Sequence, residues 1–352
     1  MTSRHAEGDL ALPPSQVPDP REAPALRWGV VSPGHIATQF TETLHRASAS
    51  RVVAVTSRSL ERAQAFAAAH DVEGAHDDLG AMLAAGGLDA VYIASPMAQH
   101  HAMARQALEA GVPVLLEKAF TLNAAEAEDL VALARERGVF LMEALWARFL
   151  PQFDVLRQVL AQGLIGETVL VQADHGQSFP EDPAHRLHAP ELGGGALLDL
   201  GVYPISFAQM VLGDLQDLAA LGEQTSLGVD ATVAMVARGA RGGHATLSTT
   251  LRSLTPIEAV ISGTEGRVRL DGAFFAPGTL RVELRDGRSA SFSHPGDPAD
   301  GLVYEAAEAA RCIAAGLLES PLMTWEDSIS VMRSMDQARA ALGVVYPSEA
   351  RA

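Results

Sequence analysis

From Leu26 onward, short apolar runs alternate with stretches in which apolar residues recur every three or four positions. "RWGVVS" reads as a strand, and Ile36, Phe40 and Leu44, spaced by four, read as a helix packed on a sheet. "RVVAVTS" is the next strand, and Ser59 can cap the helix "LERAQAFAAAH" that follows. "DAVYIAS" ends at Pro96 and leads into "HHAMARQALEAG", a helix closed by Gly111. "VPVLLEK" is a fourth strand. Asn123 and Glu126 then form the outer pair of a cap before "AEDLVALARERG", and "VFLMEALW" completes the series. Strands that are apolar almost throughout, separated by amphipathic helices, specify a parallel sheet covered on both faces. Ligands bind such sheets at the carboxyl ends of the strands.

After Pro151 the pattern changes. "ETVLVQADHG", "DATVAMVARG", "GHATLSTTLR", "IEAVISGTEGRVRLDG" and "TLRVELRDG" are strand-like runs joined by Gly- and Asp-containing turns. With few helices between them, they predict a mostly antiparallel open sheet. The fold class is therefore α/β: an N-terminal Rossmann doubly wound parallel sheet, then a C-terminal α+β domain. The expected boundaries are a disordered extension over 1–24, a nucleotide domain over 25–146, and a substrate-binding and oligomerisation domain over 147–352. The extension "MTSRHAEGDLALPPSQVPDPREAP" lacks the apolar core of a signal peptide and is rich in Pro and polar residues.

Composition narrows the function classes. A chain of 352 residues is long enough for two hydrophobic cores. A net charge of -17 argues against nucleic acid, whose phosphates need clustered Lys and Arg. The single cysteine, Cys312, rules out an intrachain disulfide and fits a reducing, cytoplasmic setting. No apolar run reaches the ~18 residues of a membrane span, so no membrane partner is expected. His101, His185 and His188 lack companion cysteines or suitably spaced carboxylates, so no metal site is expected.

The turn between the first strand and first helix is Ser32-Pro33-Gly34-His35-Ile36-Ala37. The dinucleotide fingerprint is G-x-G-x-x-G/A, and Ser32 replaces its first glycine. At this place in the fold a pyrophosphate meets a helix N-terminus. Gly34 allows close backbone approach, Ala37 allows tight helix–strand packing, and the Ser32 hydroxyl can donate to a phosphate. About 20 residues on, NAD enzymes place an acid against the ribose 2′-hydroxyl. Here the residues are Thr56-Ser57-Arg58. Ser57 can donate to a 2′-phosphate and Arg58 can pair with it, so NADP is expected over NAD.

"VYIASPMAQHHAMARQALEAGVPVLLEKAFTLNAAEAEDL" and "LGGGALLDLGVYPISFAQMVLG" carry a more specific resemblance. They resemble the Gfo/Idh/MocA family of nicotinamide-dependent oxidoreductases, with its T/S-P-x-x-x-H strand end, its Glu-Lys-Pro and its G-G-G-x-x-x-D-x-G-x-[YH] segment. The resemblance spans roughly residues 26 to 348. It implies cofactor contacts from Ser95, Pro96, His100, Glu117 and Lys118 beside those of Ser32, Gly34, His35, Ile36, Ser57 and Arg58. It also implies a flat sheet interface, hence a homodimer or homotetramer. The family's proline is Ala119 here, which predicts a less rigidly placed Lys118.

Hydride transfer at a carbinol carbon requires a proton moved on or off its oxygen. Tyr203 is the candidate, and a neighbouring ammonium such as Lys118 would favour its phenolate. The resemblance assigns this pair the same roles. Asp199, four residues before Tyr203, would share its helix face and either orient substrate hydroxyls or hold Lys118. Trp146 and Arg148 are candidates to line a pocket, with core packing and an ion pair as equal alternatives. The expected substrate is a small polyhydroxylated molecule: a sugar, cyclic diol or related polyol. A glycoside hydrolase that uses its cofactor transiently and a non-catalytic cofactor-sensing regulator are the alternatives.

Overall fold

The computed structural model describes residues 10–349, and the chain divides into two compact units. The first is built on residues 18–146. It contains β1 (Arg27–Val31), α1 (His35–Ala47), β2 (Arg51–Thr56), α2 (Leu60–His70), β3 (Gly74–His76), α3 (Leu79–Ala85), β4 (Ala90–Ile93), α4 (His100–Glu109), β5 (Val114–Glu117), α5 (Ala124–Arg137) and β6 (Leu141–Ala144). The strands are parallel in the order β3-β2-β1-β4-β5-β6. The order reverses at β1, the switch point where ligands bind such sheets. The expected caps form: Ser59 Oγ accepts from Arg62 N at 3.3 Å, and Asn123 Oδ1 accepts from Glu126 N at 2.9 Å. On one sheet face Trp28 meets Phe40 edge-on, and Phe40 stacks on Tyr92 with centroids 3.9 Å apart.

The second unit begins at 147 and contains α6 (Pro151–Ala161), β7 (Thr168–Gly176), α7 (Val202–Leu212), β8 (Leu215–Gln224), β9 (Asp230–Gly239), β10 (His244–Thr250), β11 (Ala259–Gly263), β12 (Gly266–Leu270), β13 (Thr279–Leu284) and β14 (Ser289–Ser293). Its eight strands run β14-β13-β12-β11-β7-β10-β9-β8 and are antiparallel except for β7 beside β10. Strict alternation drives this sheet. Val233, Met235 and Ala237 of β9 point inward, while Ala234, Val236 and Arg238 point out. α7 packs on the inner face against β7, β9 and β10. The helical stretch Pro190–Leu212 has the length and hydropathy of a membrane span, contrary to the expectation of none, but 89% of its most apolar 18-residue window is buried. It is a core helix.

Two expected boundaries need correction. Residues 299–332, assigned to the second domain, return to the first unit. They carry α8 (Val303–Ala314), which packs against α1, and the start of α9 (Trp325–Leu342). Arg46 Nε donates to Asp300 at 2.8 Å, Leu141 N to Leu318 O at 3.0 Å, and Trp325 Nε1 to Leu141 O at 2.9 Å. The extension expected to be disordered over 1–24 is built against the protein over 10–24, while 1–9 lie outside the described residues. Gln16 N donates to Asp154 at 2.6 Å, Gln158 Nε2 donates to Pro14 O at 3.0 Å, and Pro20 is buried. Its prolines stiffen the segment rather than free it.

Candidate functional site

In the first unit the turn after β1 has the shape the sequence implied. Ser32 adopts φ +70°, the left-handed conformation that the fingerprint reserves for glycine. Its N–H donates to Thr56 O at 2.9 Å, which joins this turn to the end of β2. Gly34 is the N-cap of α1, and no side chain caps the helix. A Cβ built at Gly34 would meet nothing within 4 Å among the described residues, so the open side of this glycine is not packed against the rest of the unit. Pro33 and Ile36 are half-buried and His35 is exposed.

The neighbouring strand ends complete this surface. Ser57 is half-buried and its Oγ accepts from Ser59 N at 3.3 Å. Arg58 is exposed and makes no ion pair or hydrogen bond among the described residues. Ser95 is buried at the end of β4, with an Oγ that has no partner; Pro96 beside it is half-buried. An uncapped helix start, an open glycine and an orphaned hydroxyl fit a dinucleotide phosphate group.

His100 binds the strand ends together. It is fully buried, with Nε2 2.9 Å from Ser95 O and Nδ1 2.9 Å from Ala119 O. Burial, and to a smaller extent the charge of Lys118, pulls its pKa below the ordinary imidazole value. Glu117 is buried, accepts from the Tyr92 hydroxyl, and accepts from Lys118 N at 3.2 Å. Lys118 is half-buried at the end of β5, and its peptide bond to Ala119 is cis. His100 contacts the backbone just after Lys118, where the family's proline is Ala119.

In the second unit, Asp199 and Tyr203 stand on one continuous helical stretch. The helix starts as a π-helical turn over Leu197–Gly201 and runs directly into α7. The four-residue spacing expected to align Asp199 with Tyr203 thus crosses a wide turn. Pro204 explains it, since its ring would clash with the Leu200 carbonyl in a regular helix. Asp199 is buried and pairs with Arg186, at 3.1 and 3.3 Å for the two oxygens. Tyr203 is 8% exposed, and its ring stacks on Phe275 with centroids 4.0 Å apart.

The glycines before this helix are anchored from two sides. Gly195 sits at φ +125°, where a Cβ would meet Asp230 Oδ1 at 2.4 Å. Asp230 Oδ2 accepts from Leu197 N at 2.6 Å, and the Tyr346 hydroxyl donates to Gly194 O at 2.8 Å. Burial raises Asp230 to about 6. Arg148 is 4% exposed and donates to Ser206 Oγ and O at 2.9 and 3.0 Å. Through these bonds it braces α7, the structural alternative named for it beside the pocket role. Trp146, in a short 3-10 turn, is half-buried.

The sequence reading missed Arg186, His175, Phe275 and Asp230. Pro204 was the signal for one of them, because a proline inside a helix leaves a carbonyl needing another donor. Among the described residues no group of three or more His, Cys, Asp or Glu side chains is arranged to hold a metal.

A Rossmann unit with a phosphate turn, joined in sequence to an α+β unit with a large open sheet, defines a two-unit nicotinamide-nucleotide oxidoreductase. The chain belongs to the Gfo/Idh/MocA family: residues 26–145 match its oxidoreductase domain with NAD-binding Rossmann fold, and 153–269 match its C-terminal domain. It is 36% identical to trans-1,2-dihydrobenzene-1,2-diol dehydrogenase of Sus scrofa, across 92% of this chain and 99% of that one. The Homo sapiens enzyme of the same name is 35% identical across 93% and 100%. Among solved structures, the 3-ketoreductase KijD10 of Actinomadura kijaniata, with NADP and TDP-benzene, is 28% identical with a TM-score of 0.78 over 91% of this chain and 98% of that one. The aldose-aldose oxidoreductase of Caulobacter crescentus, complexed with glycerol, shares the fold at 21% identity, with a TM-score of 0.82 over 90% and 97%.

Proposed function

We propose that the protein is an NADP-dependent oxidoreductase acting on a CH–OH or C=O group of a cyclic diol, sugar or related polyol. The observation that carries the cofactor choice is the end of β2: an exposed, unpartnered Arg58 beside Ser57, with no acid at this position. An acid there would repel a 2′-phosphate, whereas a guanidinium pairs with one in fork geometry. KijD10 was crystallised with NADP, which supports the same reading. The related dihydrodiol dehydrogenases support a cyclic diol.

Bound cofactor supplies the hydride acceptor or donor. In oxidation Tyr203, as phenolate, takes the proton from the substrate hydroxyl; in reduction its phenol returns it. Lys118 is the ammonium that favours the phenolate. Asp199, oriented by its ion pair with Arg186, accepts from a second substrate hydroxyl. The Ser32–Gly34 turn and the first amides of α1 hold the pyrophosphate.

A second copy of this chain is the proposed partner. Leu221 and Val236 expose 81% and 53% of their surface on the outer face of the large sheet, beside Ala219 and Ala234, an apolar face that association would cover. Light scattering that shows only monomer would overturn this. A cytoplasmic setting is proposed with it, on the single cysteine. Cys312 is buried, chiefly by which its thiol is pushed up to about 12, so it is not a reactive group.

The test is nicotinamide absorbance with NADP and NAD against trans-1,2-dihydrobenzene-1,2-diol, aldoses and inositols, beside Tyr203→Phe. Turnover with NADP that the variant loses supports the proposal. NADP binding with no turnover on any of them counts against it.

A further inference from the structure

We infer that His175 is a positioning residue for Tyr203, and that its Nδ1–H replaces the helix hydrogen bond that Pro204 cannot make. The inference rests on the reading of Tyr203 as the acid/base group. In a regular helix residue 204 would donate its N–H to the carbonyl of residue 200. Proline has no N–H. His175 projects from the inner face of β7 and is 2% exposed, with Nδ1 3.2 Å from Leu200 O, a carbonyl that also takes the N–H of Val202 at the end of the wide turn.

The opposite ring nitrogen fixes the tautomer. His175 Nε2 lies 2.9 Å from the Gln177 side-chain amide nitrogen, which can only donate. Nε2 therefore accepts, and the proton stands on Nδ1, facing Leu200. A neutral ring satisfies both contacts at once. Gln177, two residues along the same chain, is thus part of the device.

The same imidazole holds the side chain of Tyr203 as well as its backbone. Its ring lies 4.6 Å from Phe275 and 5.6 Å from Tyr203, and Tyr203 stacks on Phe275. His175 thereby fixes where the helix restarts after the wide turn and which way the phenol points. Asp199 lies in the turn that ends beside Leu200, so the pin also limits its movement. Proton transfer depends steeply on such placement.

Two variants of the full chain separate the donor from the ring. His175→Phe keeps an aromatic ring but removes the donor, and His175→Asn keeps a donor close to the Nδ1 position but removes the ring. With trans-1,2-dihydrobenzene-1,2-diol and NADP, His175→Phe should lower kcat by about ten- to a hundredfold while the KM for NADP stays within about twofold. His175→Asn should recover most of that loss. In the Tyr203→Phe background, adding His175→Phe should cost nothing further, because His175 acts through the phenol. A fresh tenfold loss in that background, or equal losses for Phe and Asn, would overturn the inference. If Tyr203→Phe alone turns over like the unmodified chain, the acid/base reading fails instead.

Hydrogen exchange tests the pin without any substrate. Amides of 197–212 should exchange faster in His175→Phe and recover in His175→Asn, with the first unit unchanged. Unchanged exchange there in His175→Phe would overturn the pin whatever the kinetics show.

Discussion

The N–H of Ser32 donates to the carbonyl of Thr56 across 2.9 Å, so the turn after β1 and the end of β2, where the cofactor choice is proposed to lie, share one backbone link. The left-handed turn at Ser32 and the exposed Arg58 are consequently held in one local frame, within the strand pair β1–β2.

Arg58→Asp should lower the ratio of NADP to NAD affinity by about ten- to a hundredfold, the range for losing one charge-assisted contact and adding a repulsion. Calorimetric titration of both cofactors reads it directly. An unchanged ratio would remove Arg58 from the cofactor site.

Ser32 holds a backbone conformation that a β-branched side chain resists. Ser32→Val should cost about 1–2 kcal/mol in stability, while Ser32→Gly should change it little, since relief of the turn is offset by a looser unfolded chain. Chemical unfolding of the three proteins in parallel is the measurement. Equal stability of the Val variant would mean that the turn is not left-handed in solution.

Asp230 predicts a pH dependence of stability. Its carboxyl titrates near 3.8 when unfolded and at about 6 in the fold, mainly through burial. The folded state therefore binds its proton more tightly. The contribution is fully present below the unfolded value and is lost as pH rises through about 6, a change of about 3 kcal/mol at most. Subtracting the stability of Asp230→Asn from that of the unmodified chain, from pH 4 to 7, should give a difference that falls with pH. A flat difference would show that the carboxyl is not held protonated.

Tyr346 is 1% exposed, and its hydroxyl donates to Gly194 O. Tyr346→Phe leaves that carbonyl without this donor and should cost about 1–2 kcal/mol. Because the carbonyl belongs to the glycine run before Asp199, kcat should fall along with stability. Loss of stability with undiminished kcat would separate the C-terminal anchor from the site.

Much of the fold is legible in the sequence because burial imposes a period. The parallel strands are nearly all apolar, the helices repeat at 3.6 residues, and Ser59 and Asn123 cap where their side chains can reach an amide. β8 and β14 were not legible. They are the edges of the large sheet: β8 is exposed along most of its length, and β14 alternates but over only five residues, three of them Ser. Nor does the amphipathic face of α8 say which sheet it will cover.

At the site, the phosphate turn and Arg58 could be read because spacing along a strand–turn–helix fixes their place. His175 could not. On β7 it looks like any inward residue, and its role arises only when the chain brings Leu200 against it. The wide turn at Leu197–Gly201 had a visible cause in Pro204, but not a visible form.

The return of 299–332 to the first unit makes that unit a product of the whole chain rather than of its first part. A chain emerging from the ribosome exposes β1 to β6 long before Leu318 and Trp325 exist to reach Leu141. The nucleotide unit must wait, with the edge of β6 open, until nearly all of the second unit has been made. The order of synthesis and the order of completion are therefore reversed, and a fragment ending near 146 should behave as an unfinished sheet prone to association.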